Sequence, residues 1–183
     1  DQPRSRGLGD VYKRQLEHCE DENERKYLIT HFLDGFRTTL FRQAQFAEFE
    51  HIAHRKMQKG EPVTKDVLNE LWHELNVQYY GPDMRVDDEI SYEWMRIPHF
   101  YTPYYVYQYS TGYSAAVAFS KKILEEGKPA VDKYIGNFLC GGCSKNPIEL
   151  LKSAGVDMST PKPVDDALNV FEDYLKQFET ATK

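Results

Sequence analysis

The residues best suited to chemistry lie in the stretch RIPHFYTPYYVYQYSTGYSAA, residues 96–116, which combines His99 with six tyrosines. Phenylalanine provides a buried ring without a hydroxyl that needs a partner, so this many phenols indicate a surface that uses hydroxyl groups. Imidazole and phenol are both hydrogen-bond donors. Aimed at an oxyanion that forms during attack on a peptide bond, each such preorganised donor contributes about 3 to 4 kcal/mol. The alternative interpretation is an aromatic helix buried in a core.

A zinc-peptidase motif is absent from the sequence. H-E-x-x-H needs two histidines four residues apart on a helix, so that both imidazoles reach one metal ion. His73 and Glu74 begin the pattern, but Val77 occupies the position of its second histidine, and no two histidines of the chain are four residues apart. His73 and Glu74 are therefore interpreted as surface or boundary residues of a helix.

Two E-x-x-H pairs, Glu48 with His51 and Glu70 with His73, match the type that di-metal carboxylate bundles use. At about 1.5 Å per residue, His51 lies about 12 Å before a predicted hairpin turn and His73 about 14 Å after it. The two pairs could therefore lie side by side at the same height along the two antiparallel helices. Arg55 stands one turn from His51, where a cation would repel a metal ion. A solvated helix face is the alternative that this charge favours.

Cysteine usage favours a reducing compartment, because three cysteines are too few for a disulfide scaffold in a chain of 183 residues. Cys140 and Cys143 form a lone C-x-x-C without the second pair that structural zinc usually requires. They are interpreted as residues that flank a Gly-Gly helix stop.

Apolar residues recur at helical spacing along most of the chain, and no run of alternating strand residues occurs. The fold class is therefore predicted to be all-α, as a helical bundle or a lobe of something larger. The predicted helices cover about 21–59, about 64–80, 89–96, 102–126, 129–140, a segment opened by an Asn146 cap, and about 163–178.

The helix predicted to begin at Thr102-Pro103 places the candidate residues. His99 and Tyr101 lie in the turn just before it. Tyr104 and Tyr107 are expected on one face, whereas Tyr105, Tyr109 and Tyr113 are expected on another.

Charge and hydropathy exclude two classes of partner. The formal net charge is -6, and no cluster of lysine or arginine occurs outside the first fifteen residues, so nucleic acid is not expected as a partner. No apolar run approaches the roughly 18 residues of a membrane span, so no membrane role is expected. Residues 1–15, DQPRSRGLGDVYKRQ, carry four basic and two acidic side chains, and the composition changes abruptly at Leu16. We interpret them as a non-native extension of a chain truncated just upstream of residue 16.

Three segments together resemble the C-terminal part of the oligoendopeptidase F family, relatives of thimet oligopeptidase: FRQAQFAEFE (41–50), IPHFYTPYYVYQYSTG (97–112) and GGCSKNPIELLKSAGVDM (141–158). The resemblance covers about residues 22–175. It implies an all-helical, cytoplasmic enzyme that encloses a channel and cleaves short peptides internally with one zinc ion. In that family the zinc ligands lie upstream of the matched region. Residues 16–183 are thus expected to be the C-terminal part of the catalytic domain, inactive without the zinc-bearing part.

The resemblance also assigns roles to individual residues. His99 and Tyr107 match a histidine and a tyrosine that face the zinc across the cleft and stabilise the tetrahedral intermediate. Tyr101 and Tyr104 are expected in the same wall as substrate contacts. The alternative is a non-catalytic helical module that binds peptide through its tyrosines or metal through the E-x-x-H pairs. A purely structural domain would instead bury His99 and pair the tyrosine hydroxyls internally.

Overall fold

The computed structural model describes residues 14–181, which form helices joined by turns with no strand among them. This confirms the all-α prediction. In chain order the α-helices after residues 14–18 are α1 Glu22–Phe36, α2 Arg42–Gln58, α3 Lys65–Tyr80, α4 Tyr107–Glu126, α5 Lys128–Lys133, α6 Pro147–Ser153 and α7 Lys162–Ala181. Two 3₁₀-helices cover Asp88–Arg96 and Pro98–Tyr101, and π-helical segments cover Arg37–Phe41 and Tyr134–Leu139.

The chain divides into two compact units. The middle unit is Thr38–Ser110, and the outer unit comprises the described residues before and after it, 14–37 and 111–181. Within residues 14–181, no helix combines the length and apolarity that a membrane crossing requires. The interpretation of residues 1–15 as a non-native extension concerns residues that, apart from 14 and 15, lie outside the described part. That interpretation, and the assignment of 16–183 to one catalytic domain, stay predictions.

The long helix predicted over 21–59 exists with one modification. α1 begins after Asp21, whose carboxylate accepts the Glu24 N–H at 2.8 Å, and α2 ends at Gln58. The π-helical segment Arg37–Phe41 separates the two helices. A π turn widens the helix without breaking the path of the chain, so the apolar spacing continues across it and the sequence alone does not reveal it.

α3 packs on α2 in the middle unit, and its ends follow the predicted signals. The Thr64 hydroxyl accepts the Val67 N–H at 3.4 Å, and Gly81 ends the helix at a φ of 77° that disfavours residues with a side chain. Trp72 is wholly buried, with its ring 5.0 Å from that of Phe49. The buried apolar residues of this core are Phe46, Phe49, Leu71, Trp72, Leu75, Ile97 and Val106.

The predicted start of α4 at Thr102-Pro103 is wrong, because α4 begins at Tyr107. Tyr104 adopts a φ of 55°, in the left-handed region, and its backbone N–H donates to Oε1 of Glu50 at 2.7 Å. A helix cannot include a residue with that φ. A bond to a distant carboxylate thus overrides the local capping signal, and Tyr104 and Tyr107 do not share a helical face.

In the outer unit, α7 packs against α1. The rings of Phe32 and Tyr174 lie 4.4 Å apart, and burial raises the pKa of Tyr174. Phe36 contacts Phe171 of α7 and Tyr113 of α4, with ring centroids 5.5 and 5.0 Å apart. A second cluster joins α4 to the segment around α6 through Ala115, Ala118, Phe119, Ala154 and Val156. Cys140 and Cys143 are exposed free thiols after the second π-helical segment.

Candidate functional site

The tyrosines of residues 96–116 divide sharply by exposure. Tyr113 is buried in the outer unit at 4% relative accessibility. The other five are exposed: Tyr101 82%, Tyr104 46%, Tyr105 41%, Tyr107 48% and Tyr109 38%. A purely structural aromatic helix would bury most of these rings. The exposure agrees with the expectation of a surface that presents hydroxyl groups.

Two buried aliphatic residues anchor the segment that carries these tyrosines. Ile97 and Val106, at 6% and 0% accessibility, pack into the core of the middle unit on either side of the turn. Phe100, between them, lies 5.2 Å from Phe49 by ring centroids. These contacts fix the backbone, because full burial of a side chain such as Ile97 or Val106 contributes about 1.5 to 3 kcal/mol and the partly buried Phe100 adds to it. The polar residues between the anchors are thereby held at the surface.

His99 lies half-buried between two of the tyrosines. Its Nε2 is 3.4 Å from the Tyr109 hydroxyl, and its ring stacks on Tyr105 with centroids 6.0 Å apart and planes 8° from parallel. Tyr109 meets His99 edge-on at 5.5 Å and Tyr105 at 5.8 Å. The three residues are called the His99 cluster below. The Nδ1 atom of His99 is buried and has no hydrogen-bond partner in the described part of the chain.

The protonation state of Tyr109 determines which hydrogen bonds the His99 cluster can form. A hydrogen bond with Tyr105 raises the pKa of Tyr109, and burial raises it further. The ordinary pKa of a tyrosine is about 10, so Tyr109 keeps its proton at neutral pH. It therefore meets His99 as a neutral hydroxyl, which can donate to Nε2 or accept from it according to the imidazole tautomer.

Two residues of α2 hold Tyr104 in position. Glu50, at 5% accessibility, accepts the Tyr104 N–H, and His54 lies one turn further along the same helix. The His54 ring is 4.9 Å from the Tyr104 ring, with planes 32° apart. Tyr101, in contrast, ends the 3₁₀-helix Pro98–Tyr101 with most of its side chain in solvent. The predicted substrate contacts thus differ in how firmly they are positioned.

Comparison with known proteins gives the family. The family model of Peptidase family M3 matches residues 11–170. The chain belongs to peptidase family M3.

Relatives of this M3 chain carry matching descriptions. It is 55% identical over 164 residues to Oligopeptidase PepF of Bacillus subtilis (strain 168), covering 90% of this chain and 24% of that protein. It is 42% identical over 164 residues to the plasmid Oligoendopeptidase F of Lactococcus lactis subsp. cremoris, covering 90% and 27%. The crystal structure of oligoendopeptidase-F from Enterococcus faecium superposes with a TM-score of 0.90 at 46% identity, covering 94% of this chain and 33% of that one.

These matches confirm the predicted resemblance to the oligoendopeptidase F family. They also show that the M3 chain is short beside its relatives. It spans 24% of the Bacillus protein and 27% of the Lactococcus protein, about a quarter of the length of the curated relatives it matches.

The structure of the M3 chain places the predicted catalytic residues in two environments. His99 belongs to the His99 cluster, whereas Tyr107 is an exposed residue in the first turn of α4. Tyr107 and Tyr109 are two residues apart on one α-helix, so their side chains leave it in different directions. Joint action of His99 and Tyr107 stays a prediction.

The sequence did not identify Tyr105 and Tyr109 as partners of His99. The helical face predicted for them together with Tyr113 is wrong, because Tyr105 lies before α4 and Tyr113 is buried; their four-residue spacing was nevertheless the available signal. The contact with His99 depends on the non-helical turn between them, which no local pattern specifies.

The E-x-x-H pairs of the M3 chain do not converge on a metal site. Glu48 Oε2 accepts the Tyr79 hydroxyl at 2.8 Å, and His73 Nε2 lies 4.0 Å from Asp88, while His51 is exposed. Burial, followed by the hydrogen bond to Glu48, raises the pKa of Tyr79. No group of three or more His, Cys, Asp or Glu within residues 14–181 is arranged to hold a metal ion.

The zinc ion that the family resemblance implies needs at least three protein ligands. The described residues of this chain do not supply such a set, so they do not fit a zinc site. The chemistry available to them is hydrogen-bond donation from imidazole and phenol groups.

Proposed function

We propose that this chain is one part of a cytoplasmic, zinc-dependent oligoendopeptidase that hydrolyses internal bonds of short peptides. Membership of peptidase family M3 supports the proposal, as do the descriptions of the relatives as oligopeptidase and oligoendopeptidase. The observation that carries it is the set of five exposed tyrosines in residues 101–109, two of which contact His99, on a segment anchored in a buried core. Such a surface suits hydrogen bonding to a peptide.

In the proposed enzyme, this chain supplies hydrogen-bond donors. His99 and Tyr107 would donate hydrogen bonds to the oxygen that becomes negative when a peptide carbonyl is attacked, and such bonds are stronger to the charged oxygen than to the carbonyl. Tyr101 and Tyr104 would contact the peptide from the same wall. Because the donors are held by folded elements, little reorganisation accompanies the reaction.

Zinc would be bound by another part of the longer protein. H-E-x-x-H is absent from the sequence, and the resemblance places the family's zinc ligands upstream of the matched region. We therefore propose that this chain alone does not cleave peptides. Measuring the metal content of the purified chain and its cleavage of a fluorogenic peptide tests this. Stoichiometric, tightly bound zinc together with chelator-sensitive cleavage would contradict it.

A chimera tests the activity itself. The matched segment of the Bacillus subtilis oligopeptidase would be replaced by the corresponding 164 residues of this chain. We expect the chimera to bind zinc and cleave the fluorogenic peptide, with the parent enzyme as the control. A folded, zinc-loaded chimera without cleavage activity would refute the proposed function.

The second candidate function is a non-catalytic helical module that binds peptides. Exposure of five tyrosines favours it, since phenols bind peptides without any metal. Under this alternative the purified chain alone would bind an unstructured peptide, and the chimera would remain inactive. The metal-binding version of this alternative has no support among the described residues, because the E-x-x-H pairs do not converge.

A further inference from the structure

Glu50 is a carboxylate buried within the middle unit. Only 4% of its side chain is accessible, although it lies on α2 among residues that the proposed mechanism does not use. A carboxylate removed from water is costly unless it accepts hydrogen bonds or pairs with a cation. The contacts of the Glu50 carboxylate therefore indicate its structural role.

The principal contact of Glu50 is with the backbone of Tyr104. The Tyr104 N–H donates to Oε1 at 2.7 Å, across 54 positions of the sequence. Tyr104 is the one residue other than glycine with a positive φ, 55°, in the described part of the chain. That conformation is unfavourable for a residue with a Cβ, so something must hold it. A charge-assisted hydrogen bond of this length is among the stronger ones available.

His54 adds a second contact from the same helix. It lies one turn after Glu50, with its Nε2 4.0 Å from Glu50 Oε1 and its ring 4.9 Å from that of Tyr104. α2 thus supplies an acceptor for the Tyr104 backbone and a flat surface for its ring. The phenol nevertheless remains 46% exposed.

We infer that Glu50 is a positioning residue, which fixes the left-handed backbone of Tyr104 and thereby directs its phenol toward a bound peptide. This inference rests on the proposed function for the role of Tyr104, whereas the positioning itself does not depend on catalysis. Glu50 touches no reacting atom. Its effect on substrate would pass entirely through Tyr104.

Amide hydrogen exchange of Tyr104 in the 183-residue chain tests the positioning. Glu50→Met removes the acceptor at similar side-chain length, and we expect exchange at Tyr104 to become about tenfold faster or more. Glu50→Gln keeps a carbonyl acceptor and should stay within about threefold of the wild type. Unchanged exchange in a folded Glu50→Met variant would overturn the inference.

A second substitution covers the case in which Glu50→Met does not fold. Glu50→Asp keeps the charge but withdraws the carboxylate by one methylene group. Circular dichroism establishes that each variant keeps its helix content. We expect Glu50→Asp to accelerate exchange at Tyr104 more than Glu50→Gln does, and the reverse order would also overturn the inference.

A double-mutant cycle in the chimera tests the link to substrate. Glu50→Met should raise KM about tenfold with a smaller change in kcat. Tyr104→Gly removes the phenol and accepts the positive φ without strain, so Glu50→Met should have no further effect on KM in that background. Additive effects would show that Glu50 acts on folding in general and would overturn the inference. An inactive chimera would count against the proposed function, while the exchange measurement would still decide the positioning.

Discussion

The Tyr109 hydroxyl lies 3.4 Å from Nε2 of His99, which links the first turns of α4 to the 3₁₀-helix Pro98–Tyr101. The two residues are ten positions apart, and the turn that separates them is held by the buried side chain of Val106. This contact orients the imidazole that we propose as an oxyanion donor. Tyr109 therefore affects the proposed mechanism without belonging to the predicted set of residues.

Tyr109→Phe should alter His99 directly. Loss of a neutral hydrogen bond corresponds to about 1 kcal/mol, so we expect kcat/KM of the chimera to fall about threefold to tenfold. In the isolated chain, the ¹⁵N chemical shifts of the His99 ring should change, because they report the tautomer. Tyr92→Phe, at an exposed tyrosine of the same unit, is the matched control and should leave those shifts unchanged.

Tyr107→Phe should lower kcat of the chimera by about a hundredfold or more, the usual cost of removing one oxyanion donor. KM should change little if the bond forms mainly in the transition state. Helix content measured by circular dichroism should not change, since the side chain is exposed. An unaltered kcat would remove Tyr107 from the mechanism.

Trp72→Ala should destabilise the protein by about 3 to 5 kcal/mol, because it leaves a large cavity where the indole is now fully buried. Urea unfolding followed by circular dichroism measures the change. Met57→Ala, at a side chain that is 66% exposed near the end of α2, is the control and should stay within about 0.5 kcal/mol of the wild type. Equal effects of the two substitutions would mean that the core around Trp72 is wrongly described.

Asp157 should contribute stability that disappears in acid. Lys152 Nζ lies 2.8 Å from its carboxylate, and this contact, with hydrogen bonds from Ser159, lowers the pKa of Asp157 to about 2. The unfolded value is about 3.9, so the contribution is complete above that pH and is lost as the pH falls toward the folded value.

The stability difference between the wild type and Asp157→Asn should therefore shrink as the pH falls from about 5 to about 2. Urea titrations at several pH values measure the difference, and an NMR titration gives the midpoint of Asp157 itself. A midpoint near the unfolded value would contradict the described contact with Lys152.

Gly35→Ala tests the close approach of Gly35 and Tyr113. A Cβ at residue 35 would lie 3.1 Å from the Tyr113 hydroxyl oxygen but 3.9 Å from the ring carbon that carries it. Overpacking typically costs about 1 to 3 kcal/mol, which would offset the roughly 1 kcal/mol that alanine gains over glycine in a helix. We expect Gly35→Ala to be less destabilising in a Tyr113→Phe background, where the oxygen is gone. Equal effects in the two backgrounds, measured by urea unfolding, would contradict this geometry.

Local signals made much of the fold predictable. Thr64 and Gly81 bound α3 because a hydroxyl cap and a glycine at positive φ act through their own neighbours. The predicted start of α4 was wrong because the structure there depends on a contact between residues far apart in sequence. Thr102-Pro103 carries a local capping signal, but the bond from Tyr104 to Glu50 joins residues far apart in sequence, and no local pattern encodes it.

The candidate site shows the same division. Exposure of the tyrosines followed from their hydroxyls, and the resemblance supplied His99, Tyr101, Tyr104 and Tyr107 as candidates. Tyr105 and Tyr109 could be identified as the partners of His99 only once the path of the turn over 102–106 was known. Spacing predicted one helical face for Tyr105 and Tyr109, but Tyr105 precedes α4, and only the folded turn brings it and the imidazole together with Tyr109.

The packing of α7 on α1 affects how the chain can fold during synthesis. Phe32 leaves the ribosome before Tyr174, which contacts it and follows it by 142 positions in the chain. Contacts between such distant positions form slowly, and until then the apolar face of α1 has no α7 to cover it. The middle unit, in contrast, is continuous in sequence and can form before α7 is translated. We therefore expect nascent chains released before α7 to be the form that chaperones capture.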